Sequence, residues 1–262
     1  MTAPFITTPD GHTRVLNLLQ SDPRRMGRYR AAPFPTIPLN QIQPFDAWPS
    51  DVKIKDQDGA GACNGHATAT ALEYARAVSG MPDVDLSAWY VYGMLVKGRD
   101  VGSNILDALE LVQRNGCAPE FNVKYGDFSG RYSTQAQADA ARFRCEIGGS
   151  LQTWEEIVSF IALRGAVNLS VRATNGWSGR LDSDGCPPVG RGPGNHAVMC
   201  GGGIKRLANG ELAIRMANSW GVQWGDGGFC WLRRAHIESG SWFECMCIRA
   251  VVVDSSDAIT AA

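Results

Sequence analysis

The chain has 262 residues, 44% of them apolar and 19% charged. That suffices for the core of one large domain or two packed lobes, and excludes disorder over most of the length. Its 25 Lys and Arg against 26 Asp and Glu leave a formal charge of −1, so nucleic acid and acidic membrane surfaces have no electrostatic claim as partners.

Residues 1–41 read as an extended arm. Pro23, Pro33, Pro35 and Pro38 punctuate it, and only Arg14 to Gln20 has the pattern of a short helix. The basic run Arg24 to Arg30 reads as a solvated patch. The opening residues MTAPFITTPDGHTRVLNLLQ lack the basic-then-apolar order of a secretory leader, and no apolar run approaches 18 residues. The expected location is the cytoplasm, or a larger particle that incorporates or delivers the chain.

From Asp46 to about Gly149 the pattern is mainly helical. Gly59 and Gly61 lead into a helix with Ala67, Ala71, Leu72, Ala75 and Val78 at helical spacing, stopped by Gly80 and Pro82. Ser87 caps a second helix through Val96. Ser103 is the expected cap of a third, with Ile105, Leu106, Leu109 and Val112 on one stripe and Gly116 ending it. An alanine-rich helix is expected from about Ser133 to Arg144.

Beyond residue 150 the character changes. Thr153 and Glu156 form a capping box for a helix carrying Ile157, Phe160 and Ile161. Strands then take over: Val167, Leu169 and Val171 alternate, as do Leu212, Ile214 and Met216. His196 to Cys200, Phe229 to Leu232 and Cys245 to Val253 are further strand candidates. Helices first and strands afterwards predict an α+β fold with two lobes.

The eight cysteines contain no CxxC pair, which removes zinc-knuckle spacing. Cys245 and Cys247 are expected on one strand face with Met246 on the other. No metal or organic cofactor is implied. Cys63 differs from the other cysteines because it stands where a glycine-rich loop becomes a helix. A thiolate there is stabilised by the helix N-terminus, and nearby N–H groups can receive an oxyanion.

Three more residues complete a constellation. His196 opens a strand directly after the turn Gly192-Pro193-Gly194-Asn195 and can act as base toward Cys63. His66, three residues after Cys63, is the rival base, but it points along the helix. Asn218 ends the strand Leu212 to Ala217; its carbonyl can orient the imidazole while the Trp220 indole shields that bond. Gln57 offers an amide donor for an oxyanion beside the Cys63 N–H.

With these residues in place, the sequence resembles the papain family of cysteine peptidases over roughly residues 42 to 250. Asp56-Gln57 and Gly61-Ala62-Cys63 look like the family's oxyanion and nucleophile segment. Asn195-His196-Ala197-Val198 looks like its histidine strand. Asn218-Ser219-Trp220-Gly221, with Trp224-Gly225 and Gly228, is similar to its asparagine motif. His196 lies 133 positions and Asn218 155 positions after Cys63, near the family separation of about 130–150. Gly102-Ser103 resembles the segment whose backbone pairs with bound peptide.

The resemblance implies a helical lobe (about 42–150) and a β-barrel-like lobe (about 151–250) with an active-site cleft between them, then a strand end and tail over 251–262. It implies a cysteine peptidase that hydrolyses peptide bonds through a Cys63–His196–Asn218 triad, Gln57 and a thioester. Gly102, Ser103, Ser170, Asn195 and Trp220 form the expected substrate-binding set for a peptide or protein. Alternatives are an acyl transferase on the same scaffold and a structural component of an assembly such as a phage particle. Three departures stand out. Ala60 and Asn64 replace the usual cysteine and aromatic residue around the nucleophile, and Ser103 replaces a glycine and is expected to narrow the groove. With only about 41 residues ahead of the matched region, the arm is expected to pack outside the cleft through Phe5, Leu16 and Leu19, and to serve assembly or stability.

Overall fold

The arm starts with strands where a helix was expected. In the computed structural model, which describes residues 4–8, 11–30, 34–240 and 242–250, Phe5–Thr7 (β1) and Thr13–Val15 (β2) form an antiparallel hairpin with Phe5 opposite Val15. Ile6, Leu16 and Leu18 are buried, whereas Phe5 and Leu19 are exposed. Leu16 and Leu18 share one side of an extended chain, the period-two placement that a helix over 14–20 would have broken. The anchors are therefore Ile6, Leu16 and Leu18. Asp22 then caps a single turn, Pro23–Met26 (α1), by accepting the Arg24 N–H.

After the short strand Phe45–Asp46 (β3), the helical half contains Cys63–Val78 (α2), Ala88–Val96 (α3) and Ile105–Asn115 (α4). Ser87 caps α3 as expected, accepting the Tyr90 N–H at 3.1 Å. The cap of α4 is Asn104, which accepts from Asp107 N–H at 2.8 Å. Ser103 is engaged elsewhere. The alanine-rich helix is only Thr134–Ala140 (α5).

The second half runs Cys145–Ser150 (β4), Trp154–Ala162 (α6), Ala166–Val171 (β5), His196–Arg206 (β6), Leu212–Ala217 (β7), Phe229–Arg233 (β8), Arg234–Glu238 (α7) and Cys245–Ala250 (β9). The Thr153–Glu156 capping box is present on α6. The seven-stranded antiparallel sheet has the order β4-β9-β5-β6-β7-β8, with β3 paired to β6. Its edges β4 and β8 do not meet, so the sheet is open and not closed into a barrel. The expected strand end and tail over 251–262 lie outside the described residues.

Two buried faces explain why β5 shows no polar side. Val167, Leu169 and Val171 join the core under α6 with Trp154, Trp177, Trp220 and Trp224, while Ala166 joins the core of α2, α3 and α4. Asn168 points the same way and donates to Thr68 of α2 at 2.8 Å. In β9, Cys245 and Cys247 fall in one core and Met246 in the other, the division expected from strand periodicity. All eight cysteines are buried and free. No helix of the described residues is long and apolar enough to cross a membrane. The two cores make the two lobes, and α2 packs against β6 between them.

Candidate active site

Cys63 is the first residue of α2, after the uncapped Ala62. Its sulfur is fully buried and receives backbone N–H groups of Ala197, Asn17, Asn64 and Cys63 itself. Burial outweighs these donors and pushes the thiol up to about 11.

His196 opens β6, opposite Val171 of β5, and is buried. Its Nε2 lies 2.8 Å from Asn218 Oδ1, and that oxygen also accepts the Ser219 N–H at 2.9 Å. The second donor fixes which end of the amide is oxygen, so Nε2 carries the hydrogen and Nδ1 is the basic nitrogen. Nδ1 has no hydrogen-bond partner among the described residues. Burial, opposed by the Asn218 bond, lowers His196 to about 4. The Trp220 ring lies 4.9 Å from the imidazole and Trp177 6.4 Å away, with Trp224 donating to the Trp177 carbonyl. Trp220 and Trp177 thus shield the His196–Asn218 bond from water, with Trp224 packed behind them.

Gln57 is held in the same place by Ser219. Its N–H donates to the Ser219 carbonyl at 2.9 Å and its Oε1 accepts from Ser219 Oγ at 2.7 Å. Nε2 is thereby directed at the loop before Cys63, donating to Ala60 O (2.7 Å) and Val15 O (3.1 Å). The structure brings Gln57 and the helix N-terminus of Cys63 to the start of the His196 strand. The rival His66 is elsewhere. Its ring nitrogens face the carbonyls of Ala62 (2.9 Å) and Asp56 (3.1 Å), it packs edge-on to Trp89, and burial lowers it to about 4.

The arm corrects the expectation that it packs outside the cleft. Leu18 pairs in parallel with Ser103; its N–H donates to Asn195 O at 3.1 Å, and the Leu19 N–H donates to Ser103 O at 3.0 Å. The chain therefore crosses between Gly102-Ser103 and Asn195, the two segments expected to hold substrate, with the Asn17 N–H on the Cys63 sulfur. Gly102 has φ +75°, and a Cβ there would collide with the Asn17 carbonyl. The physical reason for the placement is that Arg14, Leu16 and Leu18 fall on one side of the extended chain and are all buried, while Val15 and Asn17 between them are half-buried. Upstream, Arg14 is fully buried. It reaches Asp56 with both Nη atoms (2.5 and 3.3 Å) and the Trp220 carbonyl at 3.2 Å.

The Ser103 hydroxyl accepts from Asn64 Nδ2 at 3.1 Å, and Asn64 also donates to Asn104 O at 2.5 Å. Two departures from the family pattern thus bond to each other behind the nucleophile. Ser170 is buried and exchanges two bonds with Glu244: its N–H donates to Glu244 O at 2.8 Å, and its hydroxyl accepts the Glu244 N–H at 2.7 Å. The Asn195 side chain is tied to Ala173 at 2.9 and 3.0 Å, leaving its carbonyl for the cleft. Trp220 is fully buried and lines the imidazole side. Sequence reasoning missed Arg14 and Asn17, and also Ser21 of the arm, whose Oγ donates to the buried Glu244 Oε1 at 2.5 Å. No sequence signal marked them, because the buried phase of Thr13 to Leu18 contains Arg14 and the other phase contains Val15.

The sequence profile described as papain family cysteine protease matches residues 45–249. Among solved structures, xylellain, a cysteine protease from Xylella fastidiosa, superposes with a TM-score of 0.67 at 18% identity, covering 96% of this chain and all of that one. Digestive procathepsin L 3 of Tenebrio molitor larval midgut gives 0.64 at 18% identity, over 86% of this chain and 74% of the other. Procathepsin B S9 from Trypanosoma congolense gives 0.61 at 17%, over 88% and 85%. No curated protein matches the sequence. The profile spans most of the chain, including both segments that meet at Cys63, and this chain belongs to the papain family of cysteine proteases.

Proposed function

We propose that the protein is a latent cysteine peptidase whose own N-terminal arm closes the cleft. The observation that carries this reading is the His196 ring. Nε2 is fixed by Asn218 and Nδ1 is left without a partner, one residue from the Ala197 N–H that reaches the Cys63 sulfur. In the open enzyme, Nδ1 takes the Cys63 proton and the thiolate attacks the scissile carbonyl carbon. Gln57 Nε2 and the Cys63 N–H hold the oxyanion. The imidazolium returns its proton to the leaving amine, and water then hydrolyses the thioester. With the arm in place the pair is neutral, because burial raises the thiol and lowers the imidazole, and Val15 O takes an amide hydrogen of Gln57.

Labelling with a peptide epoxide, mapped by mass spectrometry, tests the assignment. The adduct is expected on Cys63 alone, abolished by His196→Ala and retained by His66→Ala. An adduct on another cysteine, or loss only in His66→Ala, would refute it.

A further inference from the structure

Gly61, two residues before Cys63, donates its N–H to both carboxylate oxygens of Asp100, at 2.9 and 3.1 Å. Asp100 is an exposed residue between α3 and α4. The Val101 N–H donates to the Arg99 carbonyl at 2.8 Å, so Asp100 is the middle residue of a tight three-residue turn. Oδ1 of the same carboxylate also accepts from the Tyr92 hydroxyl of α3, and that hydroxyl accepts the Gly102 N–H at 3.1 Å. An unbroken run of hydrogen bonds therefore joins Gly61 to Gly102 through Asp100 and Tyr92. Neither Asp100 nor Tyr92 takes part in the chemistry above.

The glycine makes the approach of the carboxylate possible. A Cβ on Gly61 would sit 2.9 Å from Asp100 Oδ1 and 2.8 Å from the Asn17 Cβ. Tyr92 is fully buried. Burial, reinforced by its bond to Asp100, raises the Tyr92 phenol well above its usual value, so the hydroxyl keeps its hydrogen and donates it to the carboxylate. Hydrogen bonds to an ionised acceptor are the short and strong ones. On the other side of Cys63, Asn64 donates to Ser103 and Asn104. The Gly102-Ser103 segment is thus tied to the chain two residues before the nucleophile and one residue after it. Since all eight cysteines are free, these ties are hydrogen bonds alone.

We propose that Asp100 is a positioning residue for peptide hydrolysis, acting through Gly61 on one side and Tyr92 on the other. Its carboxylate fixes the distance between the nucleophile loop and the Gly102 backbone, so that a peptide paired along Gly102 presents its scissile carbonyl to Cys63. Without Asp100 the loop from Gln57 to Cys63 loses its hold on that segment, and a misplacement of about 1 Å can cost about 10²-fold in rate. Tyr92 carries the second half of the clasp, because it alone bonds both the carboxylate and the Gly102 N–H. This role rests on the peptidase reading, whereas the clasp itself is tested separately from it.

The test uses the full chain carrying Arg14→Ala to loosen the arm, with Leu18→Glu in its place should that variant not fold. Asp100→Ala, Asp100→Asn and Tyr92→Phe are added singly, and Asp100→Ser stands in for an Asp100→Ala chain that does not fold. Turnover of a fluorogenic tripeptide amide, chosen from a mixed set for cleavage by the opened parent, is expressed per Cys63 titrated with peptide epoxide. That normalisation removes any loss of folded protein, which is all a merely structural role would cause. Asp100→Ala is expected to lower kcat at least tenfold. Asp100→Asn, whose Oδ1 still accepts the Gly61 N–H, should return it to within threefold of the parent. Tyr92→Phe frees Gly102 but leaves Gly61 bonded, and should raise KM at least threefold with a smaller change in kcat. Amide exchange in chains labelled with nitrogen-15 glycine reads the clasp directly: Asp100→Ala should speed exchange at both Gly61 and Gly102 at least fivefold, and Tyr92→Phe at Gly102 alone. No turnover by the parent, together with an unlabelled Cys63, overturns the peptidase reading alone, and amide exchange then still decides on the clasp. A smaller loss of kcat in Asp100→Ala, a loss that Asp100→Asn does not recover, or unchanged exchange at either glycine in Asp100→Ala overturns the proposal.

Discussion

Replacing Arg14 by alanine isolates the force that keeps the arm in the cleft. Arg14 is fully buried, makes a two-point contact with Asp56 and donates to the Trp220 carbonyl. Breaking a buried ion pair by removing one partner costs about 3–5 kcal/mol. Asp56, however, is 36% exposed at its side chain, so water can solvate the carboxylate left behind, and about 2–3 kcal/mol is the better figure. At 1.4 kcal/mol per tenfold, the ratio of open to closed cleft rises roughly 30- to 150-fold. Cys63 is alkylated only from the open form, so the rate of epoxide labelling should rise by that factor when opening and closing are fast relative to labelling. The internal control is the set of other buried thiols. Cys117 and Cys200 lie in the two cores and should stay unlabelled. An unchanged Cys63 rate with unchanged melting temperature would refute the reasoning, as would simultaneous labelling of Cys117 and Cys200, which signals unfolding instead of arm release.

Three further outcomes follow from the site. With the arm docked, burial raises Glu244 from 4.5 to about 7; undocking removes the arm's share of that burial, so the closed form holds the proton more tightly than the open form. Arm docking is strongest below the lower value and weakens as pH rises to the higher one, by at most about 3 kcal/mol. The Cys63 labelling rate of the native chain relative to Glu244→Gln, normalised at the lower pH, should climb up to about 100-fold across that window; a flat ratio refutes the linkage. His196 titrates alike in both chains and drops out. Gln57→Ala in an opened chain should reduce kcat by about 10²–10³ and Asn218→Ala should leave a measurable remainder, read from steady-state kinetics against His196→Ala, which should be the most severe. Asn64→Ala should lower the unfolding free energy by about 1–3 kcal/mol in denaturant melts, and should couple to Ser103→Gly by more than about 0.5 kcal/mol in a double-mutant cycle.

Much of this arrangement was legible because its parts announce themselves locally. The glycine loop before Cys63, the turn before His196 and the strand end at Asn218 are each readable, and their order along the chain matched one family. Ser87, Gly116 and the Thr153–Glu156 box marked helix ends through hydrogen bonds that span three or four residues. Ser103 misled because its hydroxyl was read as a cap when Asn104, next to it, does that work and Ser103 serves Asn64, 39 positions away. Arg14 to Gln20 misled for a related reason. Seven residues containing Leu16 and Leu19 satisfy a helical period as well as a strand, and only the groove they enter decides. The bond of Ser21 to Glu244 could not be read at all, since its partners stand 223 positions apart.

The arm is covalently continuous with the body it blocks, and this makes the closed state a matter of tether length and not of concentration. A segment held a few tens of residues from its groove presents itself at an effective concentration of roughly millimolar, which dilution of the protein does not change. A free peptide must therefore outbid a neighbour that never diffuses away, and short weak substrates are filtered out before any chemistry at Cys63. Severing the connection converts the same segment into an ordinary inhibitor, whose occupancy falls with dilution. The hairpin at Arg14, the crossing at Leu18 and the bond of Ser21 to Glu244 then no longer reinforce one another through a shared anchor.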